Sequence, residues 1–262
     1  VGYSQTVPTG RTQFERDRMA EGFPVIQKPL QARALSRSYG SVEALRGIDL
    51  QVNHHEFVAI VGPSGCGKTT LLSLFSGFDN PSSGTLVRSG EVRTIFQRDG
   101  LFPWLTCAEN IAIGLRDVGQ SERNHRKAKL LDLINLNGFA DRYPHQLSGG
   151  MRQLVELARA IAGKADILLM DEPFSSLDYL TRLRMRAELS RLLAEYPRTV
   201  VLVTHDIEEA AQLADRIIVM TERPGCIRFE YSIASPRPRT PTQPEVIKAV
   251  HKILGEMGLE RT

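Results

Sequence analysis

Residues 62–70 read GPSGCGKTT, a complete match to the pattern G-x-x-x-x-G-K-[ST]. The run 56–61 (EFVAIV) before it is short and apolar and predicts a strand, while 67–76 (GKTTLLSLFS) predicts a helix. A glycine-rich turn between a strand and a helix N-terminus is the arrangement that phosphate binding needs. Gly62, Gly65 and Gly67 allow backbone N–H groups to close around phosphate oxygens, and the helix dipole adds to the attraction. Pro63, Ser64, Cys66 and Thr70 complete the wrapping stretch. Lys68 is placed to reach the β- and γ-phosphates, and the Thr69 hydroxyl to ligate Mg²⁺.

Such a loop needs a carboxylate at the C-terminal end of another buried strand. The run 167–172 (ILLMDE) supplies two acids there. Asp171 would hold Mg²⁺ and Glu172 would polarise an attacking water. Adjacent acids at a strand end are costly without a cation or solvent to compensate them, so a functional pair is expected. Together these residues imply a Mg²⁺-dependent nucleoside triphosphatase.

Further buried strands are predicted at 166–170, 199–204 and 216–220. Helices fall between them. One covers 150–163, with Leu154, Leu157, Ala158 and Ile161 at helical spacing and Gly163 as a C-terminal glycine. Others cover 181–195 and 206–214, the latter with acidic residues in its first turn. Strands alternating with helices predict a mostly parallel sheet covered on both faces. The block 107–140 reads as helical and looks like an insertion into that α/β core. Residues 1–30 are polar, carry Pro8, Pro24 and Pro29, and are expected to be a poorly ordered leader. Pro236, Pro238, Pro241 and Pro244 stiffen a connector, and 245–257 predicts a terminal helix packed on its own domain through Val246, Val250, Ile253 and Met257.

Composition narrows the field. Among 262 residues, 33 Lys+Arg against 30 Asp+Glu give a formal net charge of +3, which is no nucleic-acid footprint. The apolar runs at 167–170 and 200–203 fall far short of the roughly 18 residues of a membrane-spanning helix. No secretory signal pattern is visible, and Cys66, Cys107 and Cys226 lack the number and spacing of a disulfide or zinc framework. A soluble, intracellular chain is expected.

Residues 147–153 (LSGGMRQ) open the 150–163 helix shortly before the 167–172 strand. This string resembles the signature of the ATP-binding-cassette (ABC) ATPases, and the other family motifs follow in order. Tyr39 matches the aromatic residue that stacks on adenine, Gln97 the glutamine loop, 175–178 (SSLD) the D-loop, and His205 the switch histidine. Singly, Asp178 reads equally well as a helix cap. The resemblance spans roughly 31–220 and implies an α/β fold: a P-loop NTPase (RecA-like) core with a small antiparallel β subdomain and a helical subdomain at about 98–150. The stretch 221–262 is then a Pro-rich connector and C-terminal helix.

The resemblance also implies a mechanism, with ATP and Mg²⁺ as cofactors. Two such subunits, as a homo- or heterodimer, close head to tail around two ATP molecules. Ser148, Gly149 and Gly150 would contact the γ-phosphate held by the partner's phosphate loop. Glu172 would be the general base, His205 would orient γ-phosphate and water, and Gln97 would bind Mg²⁺ or water.

Three strings, 96–104 (FQRDGLFPW), 222–225 (ERPG) and 236–239 (PRPR), resemble the nitrate/sulfonate/taurine/bicarbonate importer group. Phe102, Pro103 and Trp104 would then help to dock a permease, or alternatively Phe102 and Trp104 fill the core of the helical subdomain. The sequence departs from the group in a short segment 84–95 before the glutamine loop, in Leu154, and in Cys226 after the ERPG string. The implied protein is the ATPase of an importer of a small anion, peripheral on the cytoplasmic face of the inner membrane. Its partners would be transmembrane permease chains and an extracytoplasmic binding protein, with no nucleic acid. The alternatives are an exporter or lipid-transport cassette and a DNA- or ribosome-acting ABC ATPase.

Overall fold

The computed structural model describes residues 28–96 and 100–259. The expected leader up to residue 27, and Gln97, lie outside the described residues. Strands β1 (Leu30–Tyr39), β2 (Val42–Val52) and β4 (Ser83–Arg88) form an antiparallel sheet in the order β2-β1-β4. The second sheet runs β5-β6-β7-β3-β8-β9, from β3 (Phe57–Val61), β5 (Val92–Ile95), β6 (Ile167–Asp171), β7 (Thr199–Val203), β8 (Arg216–Met220) and β9 (Ile227–Ser232). All its pairings are parallel except β8–β9.

The apolar runs are continuous because their strands are buried on both faces. Val58, Ile60, Ile167, Leu169, Val201, Val203 and Ile218 point into one core, shared with β1, β2 and helix α1 (Lys68–Ser76). The intervening Phe57, Ala59, Val61, Leu168, Met170, Val200, Leu202 and Ile217 point into a second core. That core is closed by the remaining helices: α2 (Cys107–Gly114), α3 (Gln120–Leu133), α4 (Gly149–Ala162), α5 (Tyr179–Glu195), α6 (Ile207–Leu213) and α7 (Pro244–Glu256). Helices α2 and α3, with 3-10 turns at Asn137–Phe139 and Pro144–Gln146, occupy the block read as a helical insertion.

The structure departs from the sequence reading in two places. The stretch 227–232, placed in the Pro-rich connector, is strand β9, antiparallel on β8; its alternate residues are half-exposed, so it carries no continuous apolar signal. Gly163 is not a left-handed helix end, since its φ is −73°. Its small size serves a close approach instead: a Cβ there would lie 3.1 Å from the Gly114 carbonyl and 3.3 Å from the Arg93 guanidinium. The acidic first turn expected of the 206–214 helix is present, with Glu209 buried and neighbouring Glu208 partly exposed.

The PRPR string straps the tail to the sheet. Arg237 forms two hydrogen bonds to Asp215, at 2.9 and 3.0 Å, and lies over the Phe57 ring, while buried Arg239 donates to the Ala214 and Ser235 carbonyls. Asp215 in turn accepts from Phe57 N at 2.9 Å. Helix α7 then buries Val246, Ala249 and Ile253 against the sheet's helical layer, the packing expected of a terminal helix on its own domain.

Candidate active site

The C-terminal ends of β3, β7 and β6 are neighbours, so the loops that follow them converge. The loop after β3 turns at Gly62, where a Cβ would meet Cys66 Sγ at 3.0 Å and Met220 Cβ at 3.1 Å. Gly67, with φ +104°, caps α1, and a Cβ there would be 2.8 Å from the Ala44 carbonyl. Both conformation and space therefore demand glycine at this position. Helix α1 has neither a side-chain cap nor an acid in its first turn, which leaves its N-terminal N–H groups for an anion. The Lys68 ammonium is buried and donates to the carbonyls of Gly62 (2.8 Å) and Pro63 (2.9 Å).

Asp171 ends β6 opposite Val203, and Glu172 N continues the ladder to the Val203 carbonyl at 2.9 Å. Glu172 is held at φ +45°, an uncommon conformation for a non-glycine residue that turns its side chain off the strand line. His205 Nδ1 lies 3.1 Å from Glu172 Oε1. Burial raises the Asp171 carboxyl above its ordinary range and the charge of Glu172 raises it further, while the Thr69 hydroxyl and Lys68 pull it down. An open cavity of about 500 Å³ is lined by Ser64, Gly65, Gly67, Lys68, Thr69 and Thr70 together with Glu172, His205 and Arg223.

Other sequence-singled residues stand apart from this cavity. Ser148 caps α4, accepting from Met151 N at 3.3 Å, and Gly150 lets α4 pass the Thr181 methyl, which a Cβ would meet at 2.8 Å. Asp178 caps α5, accepting from Thr181 N and its hydroxyl at 3.0 and 2.6 Å. Tyr39 is half-exposed, with its hydroxyl on Asp79 and the Arg37 guanidinium 4.5 Å from its ring centroid. None of Tyr39, Ser148, Gly149 and Gly150 lines the cavity that holds Lys68 and Glu172.

The family model for ABC transporters matches residues 45–175, half of the chain. The aliphatic sulfonates import ATP-binding protein SsuB 1 of Agrobacterium fabrum is 41% identical, the match covering 86% of this chain and 82% of that protein. This chain belongs to the ABC transporter ATP-binding family. It is also 44% identical to the spermidine/putrescine import ATP-binding protein PotA of Ruegeria pomeroyi, though the match spans only 61% of that protein's length. Among solved structures, the ATP-binding cassette MJ0796, dimeric and in a post-hydrolysis state bound to ADP and Pi, superposes with a TM-score of 0.66 at 30% identity. That match covers 79% of this chain and all of that one. The chain is thus an ATPase cassette.

Several residues that shape this ABC cassette carry no motif. The ERPG string, singled out only as a group marker, packs against the phosphate loop: Arg223 donates to the Gly65 carbonyl through Nε (3.2 Å) and Nη2 (2.9 Å). Gly225 bridges to β2, donating to the Ala44 carbonyl and accepting from Arg46 N, each at 3.0 Å. Behind His205, Asp206 pairs with Arg182 and Arg186 of α5.

At the helical layer, buried Asn110 accepts from Phe102 N at 2.9 Å and donates to the carbonyls of Phe102, Leu105 and Thr106. This loop holds Trp104 69% exposed and Phe102 38% exposed, so the reading in which both rings fill the helical core is overturned. That core is filled instead by Ile111, Leu115, Leu130, Leu131 and Val155. Among the described residues no helix is long and apolar enough to cross a membrane.

Proposed function

We propose that this cassette is the ATP-hydrolysing subunit of an importer for a small anion of the sulfonate, taurine, nitrate or bicarbonate type. The observation that carries the reading is a division of the chemistry within one chain. The phosphate loop, Glu172 and His205 share one cavity, while Ser148, Gly149 and Gly150 sit at the start of α4 outside it. Two copies, or this chain and a similar one, would complete each site by placing one subunit's signature over the other's nucleotide. Exposed Phe102 and Trp104 supply an apolar face suited to a separate membrane-embedded chain, and the named import relatives support that direction of transport.

Within the site, Lys68 and the N–H groups of 62–70 hold the β- and γ-phosphates, and Tyr39 stacks on adenine. Thr69, whose hydroxyl helps to hold the Asp171 carboxyl down, and Asp171 itself are two oxygen donors, which suits Mg²⁺, an ion that keeps water and phosphate as its other ligands. When bound there, Mg²⁺ would neutralise charge developing on the phosphate oxygens; Gln97 would join that shell. Glu172 takes the proton of the attacking water. His205, whose Nδ1 faces Glu172 at 3.1 Å, turns Nε2 toward the γ-phosphate.

The chain would work on the cytoplasmic face of the inner membrane with two permease chains and an extracytoplasmic binding protein. Affinity purification of the full chain from solubilised membranes tests this: permease chains and a binding protein should copurify, and the latter should bind a sulfonate-type anion in a substrate screen. Recovery with DNA or ribosomes and no membrane protein would sink the proposal.

A further inference from the structure

We propose that Arg223 is a second cation for ATP, contacting its terminal phosphate and making this cassette prefer the triphosphate over the diphosphate. The inference rests on the reading of 62–70 as the phosphate site and adds a residue outside that motif.

The loop that carries Arg223 is fixed on both sides. Thr221 N donates to the Cys226 carbonyl and Cys226 N to the Thr221 hydroxyl, both at 3.0 Å. Gly225 is clamped to β2, and a Cβ on it would lie 2.1 Å from the Cys66 carbonyl. The guanidinium is therefore delivered to the phosphate loop by packed backbone. It lines the same cavity as Lys68, Glu172 and His205.

Its position along the loop indicates which phosphate it serves. The Lys68 ammonium, which in such loops reaches the β- and γ-phosphates, rests on the carbonyls of Gly62 and Pro63. On the reading of 62–70 that first limb would be the terminal-phosphate end, and Gly65, the partner of Arg223, lies two residues beyond Pro63. Nε and Nη2 both converge on the one Gly65 carbonyl, and Nη1 has no partner among the described residues. An unused donor of an always-charged group at the mouth of an anion site is placed to donate to a phosphate oxygen.

Charge points the same way. Two carboxyl side chains, Asp171 and Glu172, stand near the single ammonium of Lys68 before a nucleotide enters. Arg223 restores the balance and favours the species with the extra phosphate.

The test is nucleotide affinity of the full chain, measured by displacement of a fluorescent ATP analogue with divalent cations chelated so that no hydrolysis intervenes. Arg223→Gln should weaken ATP by about fivefold and ADP by less than about twofold. Arg223→Lys, which keeps the charge, should recover most of the ATP-to-ADP preference, and thermal unfolding should establish that both variants fold. Equal weakening of ATP and ADP would make Arg223 only a prop for Gly65, and unchanged affinities would remove it from the site; either overturns the proposal. Lys68→Ala separates the two readings: if it weakens ATP while Arg223→Gln does not alter the ATP-to-ADP ratio, only the Arg223 proposal fails. If Lys68→Ala leaves ATP affinity intact, the phosphate site itself is misassigned and both fall.

Discussion

Glu209 gives the most exacting test of how the site is supported from behind. It sits on α6, 3% exposed, with Oε2 accepting from the Thr204 hydroxyl at 2.5 Å and Oε1 without a partner among the described residues. Thr204 is the residue before His205, so this carboxyl lies under the loop that carries His205. Burial pushes the Glu209 carboxyl up to about 7 and Asp206 adds to the rise, against the Thr204 hydrogen bond and the Arg186 and Arg182 charges.

The sign follows from proton binding. Below the unfolded value of 4.5 the group is protonated in both states. As pH rises from there to about 7, the unfolded chain has released a proton that the folded chain keeps, so stability falls; above about 7 the loss is complete and constant. At about 1.4 kcal/mol per unit, the whole loss is about 3 kcal/mol, of which about 2 kcal/mol falls above pH ~5.5. Glu209→Gln retains an acceptor for Thr204 and abolishes the titration. Urea unfolding of both proteins at several pH values should show the stability of the variant rising relative to wild type by about 2 kcal/mol between pH ~5.5 and ~8. A difference that stays constant across that range would refute the buried, protonated carboxyl.

Three further outcomes are expected. Glu172→Gln should lower ATP turnover by about 10²–10⁴ while retaining ATP binding, read as phosphate release beside nucleotide affinity; near-normal turnover would remove Glu172 as the base. Gly225→Ala drives a Cβ to 2.1 Å from the Cys66 carbonyl and should weaken ATP by at least about tenfold and lower the unfolding temperature. Gly119→Ala, where a Cβ meets nothing within 4 Å, should change neither, and equal behaviour of the two would contradict the clamp. Trp104 is the single tryptophan of the chain and 69% exposed, so assembly with a permease should shift its fluorescence to the blue; unaltered emission in a complex would place docking elsewhere.

How far the sequence could be read depended on whether a residue's constraint was local. The phosphate loop is a local device: an apolar strand, glycines at fixed offsets and a helix start are all contiguous, and the structure places them as the pattern requires. The β6, β7 and β8 strands were legible because both faces are buried. Strand β9 was not, because only alternate residues are sheltered and its pairing with β8 is set by the chain's path. Glu209 shows the limit for charge. An acid in a helix's first turn is ordinarily solvated beside the dipole, and only the packing of α6 under β7's loop and against Arg186 makes it a buried acid. Gly163 likewise needed the positions of Gly114 and Arg93, which are distant in sequence. The signature glycines behave similarly: in one chain Gly150 is explained by its approach to Thr181, and the role proposed for it toward a nucleotide would need a second subunit.

The strand order accounts for where such non-local residues gather. Strand β3, which carries the phosphate loop, lies between β7 and β8, and all three run parallel. In a parallel sheet the loops after neighbouring strands rise on the same edge, so the loops after β7 and β8 must flank the phosphate loop from opposite sides. The first brings His205, backed by Asp206 and Glu209; the second brings Arg223, backed by Gly225 and its contacts with β2. The phosphate loop itself has little freedom to vary, since Gly62 and Gly67 are packed against Met220 and Ala44. Differences in how tightly a cassette of this fold holds a terminal phosphate should therefore arise in the two flanking loops, where a side chain reaches the nucleotide without altering the backbone that cradles it.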